Sequence, residues 1–87
     1  MTLDIIRKKI DKIDDKIIEL IAKRQSFMPV VGKIKKDNKM SFNQDKREKE
    51  ILDAKKKKAK ESNVDLQLVE KIFKLIFKNS KDIQKGV

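Results

Sequence analysis

Apolar positions in the first third of the chain recur at steps that alternate between three and four residues. They are Leu3, Ile6, Ile10, Ile13, Ile17, Leu20, Phe27, Val31 and Ile34. Such a heptad seam is typical of a helix that packs along its length on another helix. The pattern predicts a helix from Leu3 to Lys36, about 50 Å long. Because a chain this short cannot cover so long a helix, we expect a partner to lie along it.

Two residues interrupt the seam. Arg24 stands where an apolar side chain is expected, and a guanidinium there needs a facing anion. That anion is either a ligand or an acidic side chain, such as Glu48 or a residue of a partner chain. Pro29 removes one backbone hydrogen bond from the middle of the helix. Since the heptad phase continues beyond Pro29 through Val31 and Ile34, the pattern predicts one kinked helix rather than two.

The rest of the chain predicts a loop and two shorter helices. Residues 36–43 show no periodicity, and a second helix should begin near residues 43–45, capped by Ser41 or Asn43, and end near Glu61.

The third helix is predicted after a break at Ser62 and Asn63, with Asp65 as its N-cap. Its apolar face consists of Leu68, Val69, Ile72, Phe73, Leu75, Ile76, Phe77 and Ile83. We therefore expect an all-α fold of one long and two shorter helices, with residues 1–87 as a single domain.

Composition narrows the possible chemistry. The chain has 24 Lys and Arg against 14 Asp and Glu, a net charge of +10, and neither His nor Cys. Thiol nucleophiles, disulfides, zinc sites and His-based triads are thereby excluded. With 44% charged residues the core must be small, so we expect an oligomer, while the charge favours anionic ligands. No apolar run approaches the ~20 residues of a membrane span, and we expect a cytoplasmic protein without membrane partners.

Several polar residues fall where they could form a site. Lys35 lies within about 20° of the direction of Arg24, three turns further along the same helix. Arg7 is about 25 Å and 100° away from Arg24, so it could serve the same small ligand only from a second subunit. Ser80 and Gln84 continue the apolar face of the third helix.

A pair of charged residues, Arg47 and Glu48, opens the second helix. These two residues could instead form an exposed ion pair on the surface without a role in a site. Lys35 could likewise be an ordinary lysine that faces solvent.

Taken together, these segments resemble the all-helical chorismate mutases. The similar stretches are residues 7–14, 17–24 and 31–35, then Arg47-Glu48, Ser80 and Gln84. The resemblance implies an intertwined homodimer of three-helix chains. It also implies the pericyclic rearrangement of chorismate to prephenate in aromatic amino acid biosynthesis, without cofactor or metal.

The resemblance also implies roles for individual residues. Arg24 and Arg7 of the partner subunit would bind the two substrate carboxylates, with Ser80 touching one of them. Lys35 and Gln84 would donate hydrogen bonds to the ether oxygen of the breaking bond. A neutral amide at position 84 donates at any pH, so we expect nearly constant activity from about pH 5 to 8.

In the second helix, Glu48 would accept from the ring hydroxyl and Arg47 would help to fix the cluster. Gln44 stands where relatives commonly carry Asp. If position 44 acts through its backbone N–H, Gln44 can serve in place of Asp. If it acts through a carboxylate, the neighbouring Asp45 must supply that group.

Three other functions compete with this interpretation. An isochorismate pyruvate lyase of the same fold would reuse Arg24, Lys35 and Gln84, although Glu48 favours the mutase. A basic nucleic-acid-binding module would explain the net charge and the lysine run 55–58, but the chain lacks Tyr, Trp and any recognition motif. A structural coiled coil is disfavoured because two amphipathic helices follow the seam. We therefore expect no nucleic-acid partner.

Overall fold

The computed structural model describes all 87 residues, which form three α-helices and no strand. Helix α1 spans Leu3–Asp37, α2 spans Asp45–Glu61 and α3 spans Leu66–Lys85. The predicted all-α class, and the order of one long and two shorter helices, are confirmed.

Helix α1 runs without interruption through Pro29, which confirms the predicted continuity. Its N-cap is Thr2, whose side-chain oxygen accepts a hydrogen bond from the Ile5 N–H at 3.3 Å. Its C-cap is Asn38, whose side-chain amide donates to the Ile34 carbonyl oxygen at 2.7 Å. None of the three helices is both long and apolar enough to cross a membrane.

The predicted cap of α2 is wrong. The N-cap is Gln44, and it forms no capping hydrogen bond with its side chain. Its amide instead donates to the Ser41 carbonyl oxygen at 2.9 Å, while the Ser41 hydroxyl accepts from the Asn43 N–H at 3.1 Å. Local hydrogen bonds within the loop thus compete successfully with helix capping for these polar groups.

The predicted break and cap between α2 and α3 are confirmed. Asn63 adopts a left-handed backbone conformation with φ of 55°, a conformation that Asn tolerates better than most residues. The Asp65 carboxylate accepts hydrogen bonds from the N–H groups of Gln67 and Leu68, at 2.9 and 3.4 Å. This cap fixes the direction in which α3 leaves the turn.

Helix α3 holds the chain together. It packs on α1 and on α2, whereas α1 and α2 do not pack on each other. Only five residues are buried, and two of them, Ala59 and Phe77, are hydrophobic. The other three are Gly32, Ser80 and Gln84, which lie where α1 meets α3. Two of the five buried residues, Ser80 and Gln84, are thus polar.

The amino-terminal part of α1 has no cover within the chain. Every residue from 1 to 23 is exposed, including the seam residues Ile13 at 60% and Leu20 at 63%. The chain measures 55 × 25 × 15 Å, and its radius of gyration is 16.1 Å. A compact domain of this length would have a radius of gyration of about 12 Å. The long helix therefore extends well beyond the packed part.

Candidate active site

A cavity of about 320 Å³ opens between the three helices and the loop that joins α1 to α2. This volume is within the usual range for small-molecule sites. Its polar lining consists of Arg24, Lys35, Gln44, Arg47, Glu48, Ser80, Lys81 and Gln84, and its apolar lining of Met28, Val31, Phe42, Ile51 and Phe77.

Seven of the eight residues proposed from the sequence line this cavity. The exception is Arg7, which is exposed near the start of α1 and about 25 Å from Arg24 along the helix. Polar residues spread over sixty positions of sequence are brought together because α3 packs on both other helices.

Arg24 faces a hydroxyl and not a carboxylate. Its guanidinium donates a hydrogen bond from α1 to the Ser80 hydroxyl oxygen on α3. Neutralisation by Glu48, one of the two explanations offered by the sequence, is wrong, because that carboxylate pairs with Lys81. Burial lowers the pKa of Arg24, although a guanidinium remains charged at all ordinary pH values. The side chain therefore presents an uncompensated positive charge to the cavity.

Lys35 is held by two uncharged acceptors. Its ammonium donates to the Gln84 side-chain oxygen at 2.7 Å and to the Phe42 carbonyl oxygen at 3.3 Å. An ammonium has three N–H donors, so one is left for a ligand. Burial lowers the pKa of Lys35; the nearby Glu48 carboxylate opposes this shift, and Lys81 adds to it.

Gln84 is buried and its amide is oriented by Lys35. The amide nitrogen donates to the Met28 thioether sulfur at 3.4 Å. Because a thioether is a weak acceptor, this donor is easily given up to a better acceptor in the cavity.

Glu48 and Lys81 form an ion pair across the wall of the cavity. The Lys81 nitrogen lies 3.2 Å from a Glu48 carboxylate oxygen, and each side chain is 25% exposed. Lys81 is not among the site residues predicted from the sequence. Its position four residues after Phe77, and three before Gln84, could have indicated that it faces the site.

The remaining two residues lie at the start of α2. Gln44 is its N-cap and is one of the residues that line the cavity. Arg47 pairs with Glu50 at 3.7 Å, and the two side chains are 66% and 55% exposed. Such a pair contributes little to stability, about 0–1 kcal/mol, so Arg47 can exchange it for a ligand.

The charges in the cavity favour an anion. Four cationic side chains, on Arg24, Lys35, Arg47 and Lys81, surround the single carboxylate of Glu48, a net charge of +3. No group of three or more His, Cys, Asp or Glu side chains is placed to hold a metal ion.

Comparison with known proteins agrees with this arrangement. Residues 6–85 match the family described as Chorismate mutase type II. The chain belongs to this family. It is also 45% identical over 80 residues to the chorismate mutase of Methanocaldococcus jannaschii, an alignment that covers 92% of this chain and 81% of the relative.

A second relative is longer. The T-protein of Haemophilus influenzae is 28% identical over 75 residues, which are 86% of this chain but 20% of that protein. The chain thus spans about a fifth of the length of the T-protein.

Proposed function

We propose that this chorismate mutase type II chain rearranges chorismate to prephenate in the cavity between its helices, as a homodimer of single-domain chains. The observation that carries the proposal is the convergence of Arg24, Lys35 and Gln84 from two helices on one cavity with net positive charge. The reaction is intramolecular and needs no nucleophile, so the protein has only to fix the reactive conformation and stabilise developing charge.

Arg24 is the proposed anchor for a substrate carboxylate. A guanidinium suits a carboxylate because it offers two parallel donors, and the site leaves it without an anionic partner. The Ser80 hydroxyl, which already accepts from Arg24, can turn its own proton to the same carboxylate. Binding would thus neutralise a partly buried charge that the free chain leaves unpaired.

Lys35 and Gln84 are the proposed catalytic residues. They are hydrogen-bonded to each other at 2.7 Å, so a single acceptor between them can receive a hydrogen bond from both. The ether oxygen of chorismate gains negative charge as its C–O bond breaks, and donors aimed at it act more strongly on the transition state than on the substrate. Loss of one such donor typically lowers kcat by about 100- to 1,000-fold.

Glu48 is the proposed acceptor for the ring hydroxyl, since it is the only carboxylate in the cavity lining. We assign Gln44 to substrate binding through its backbone N–H, because that group is at the N-terminus of α2, where N–H groups lack helical partners. Arg47, one turn further along, would add positive charge on the same side.

Several features support a homodimer. The chain exposes 7304 Å². A compact monomer of 10.2 kDa would expose about 5,300 Å², so about 2,000 Å² more than expected is left open. An excess of this size on each of two chains corresponds to an obligate dimer interface. The heptad seam on the uncovered part of α1 supplies an apolar surface suited to another helix.

A dimer would also give Arg7 a function. Arg7 cannot reach the cavity of its own chain, but α1 is long enough to carry Arg7 of the partner subunit to it. The second substrate carboxylate would bind there, opposite Arg24.

The first test is turnover of chorismate by the purified chain, followed by its loss of absorbance, with identification of the product. Prephenate is expected. Lys35→Ala should lower kcat at least 100-fold, whereas Lys36→Ala, on the exposed neighbouring residue, should leave it within twofold. Absence of turnover, or release of pyruvate from isochorismate in its place, would refute the proposal.

The second test separates a shared site from a site within one chain. Arg7→Ala and Arg24→Ala should each be nearly inactive. If they are unfolded and refolded together in equal amounts, about a quarter of wild-type activity should return, since half of random dimers are mixed and each has one intact site. No recovery from a mixture that contains mixed dimers would exclude the partner's Arg7 from the site.

A further inference from the structure

Lys81 connects two helices at the edge of the cavity. Of the seven ion pairs, only two join different helices, and the other five lie within one helix. Lys56 and Glu70 form one, away from the cavity, and Lys81 and Glu48 form the other. The Lys81–Glu48 pair is also the less exposed of the two, with 25% for each side chain.

Without Lys81, little else would fix the Glu48 carboxylate relative to Lys35. The helices that carry Glu48 and Lys35, α2 and α1, do not pack on each other. Glu48 already acts electrostatically on the Lys35 ammonium. That ammonium is otherwise held by neutral acceptors in a partly desolvated place, where the attraction between opposite charges is stronger than in water. A released carboxylate would therefore turn toward Lys35.

We propose that Lys81 is a positioning residue, whose ammonium holds the Glu48 carboxylate on the α3 side of the cavity and prevents it from pairing with Lys35. The proposal rests on the function proposed above, in which Lys35 must face the ether oxygen and Glu48 the ring hydroxyl. A direct Glu48–Lys35 pair would remove both groups from the substrate at once.

The test compares three variants with the wild-type protein. Lys81→Gln removes the charge but keeps a polar side chain, and Lys81→Arg keeps the charge. Lys78→Gln is the matched control, because it removes a charge from an exposed pair with Asp82 on the same helix. We expect Lys81→Gln to lower kcat about tenfold, and both Lys81→Arg and Lys78→Gln to stay within about threefold of wild type.

The pH dependence of kcat/KM provides a readout that a purely structural role would not change. The charged groups of the cavity around Lys35 are Arg24 on its own helix, Arg47 and Glu48 on α2, and Lys81 on α3. Lys81→Gln removes a repulsion and brings Glu48 closer, and both changes favour the charged ammonium. The alkaline limb should therefore move to higher pH, but should not move in Lys78→Gln.

Glu48→Gln, alone and combined with Lys81→Gln, decides whether Lys81 acts through Glu48. If Lys81 acts through Glu48, kcat of the double variant should be less than twofold lower than kcat of Glu48→Gln alone. Multiplicative losses would overturn the proposal, because Lys81 would then act on the substrate directly. Equal kinetics of Lys81→Gln and Lys78→Gln would also overturn it while leaving the proposed function intact. Failure of the wild-type protein to convert chorismate would refute the function and this role together.

Discussion

Gly32 lies on α1 where the backbone of α3 at Gln84 approaches closely, and replacing it should disturb catalysis more than folding. A Cβ atom at this position would lie 2.7 Å from the Gln84 carbonyl oxygen and 2.8 Å from the Gln84 Cα atom. Ordinary contacts begin near 3.4 Å. Both obstructing atoms belong to the backbone of α3 and cannot rotate away. Gly32→Ala must therefore move α1 and α3 apart by about 0.7 Å at this point.

The effect on stability is the difference of two terms. Overpacking of this kind costs about 1–3 kcal/mol. Replacing glycine by alanine inside a helix stabilises it by about 1 kcal/mol. The net loss should be about 0–2 kcal/mol, so the variant should still fold.

The effect on activity should be larger. The backbone atoms that the new Cβ atom would meet belong to Gln84 on α3. Lys35 lies on α1, three residues after Gly32. Separating the helices lengthens the 2.7 Å hydrogen bond that aligns these two side chains. A displacement of about 1 Å in a catalytic group can cost about 100-fold, so we expect kcat to fall between 10- and 100-fold.

Gly86→Ala is the matched control, because its Cβ atom would meet the nearest atoms at 3.5 and 3.8 Å, ordinary contact distances. Chorismate turnover and thermal unfolding by circular dichroism should be measured on both variants. Gly86→Ala should behave like wild type. If Gly32→Ala retains kcat within twofold, the close approach does not position Gln84 and the reasoning fails.

Three further predictions concern titratable groups. Gln84→Glu should make activity depend on a protonated carboxyl group, so a steep loss above about pH 5 should replace the flat wild-type profile. Burial lowers the pKa of Lys35 below its usual 10.5. The fall of kcat/KM at alkaline pH should therefore begin below the pH at which free lysine titrates. In Lys35→Arg this fall should lie outside the measurable pH range. Hydrogen bonds from Lys74 and then Lys56 lower the pKa of Glu70, so its stabilising effect should be present above about pH 4.5 and lost as the pH falls further. Glu70→Gln should thus lower the unfolding temperature more at pH 7 than at pH 3, and equal effects at both pH values would contradict the linkage.

The helices could be predicted from the sequence because their signals are local. The heptad seam, the Asp65 cap and the break at Asn63 each depend on residues within a few positions of one another, and each is found in the structure. The cap of α2 was harder to predict, because Ser41 and Gln44 form hydrogen bonds within the loop instead of capping the helix.

Parts of the site depended on tertiary contacts that no local pattern reveals. Lys81 is one of 24 cationic residues, and although its helical spacing from Phe77 and Gln84 is compatible with the site, its pairing with Glu48 at 3.2 Å arises from the packing of α3 against α2. Gly32 is similar, because its importance comes from the Gln84 backbone, 52 positions later in the chain. Arg24, Lys35, Ser80 and Gln84 could be identified from their polar character at positions of an apolar helix face, whereas the roles of Lys81 and Gly32 depend on which residue of another helix lies opposite them.

The small core makes folding depend on the proposed dimer. Only Ala59 and Phe77 are buried hydrophobic residues, and a lone chain would leave the seam of α1 in water. If chains unfold as they separate, stability must depend on concentration. A tenfold dilution costs about 1.4 kcal/mol per dimer. For two chains of 87 residues this should lower the unfolding temperature by about 4 °C.

Calorimetry over a hundredfold range of concentration measures this shift directly. Ile13→Asp, on an exposed seam position remote from the cavity, should lower the unfolding temperature further and shift the mass measured by sedimentation toward 10.2 kDa. Lys16→Asp, which breaks only a surface pair with Glu19, is the control for an added charge on the same helix. An unfolding temperature that does not change with dilution would mean that the three helices are stable alone, and the exposed seam would then need another explanation.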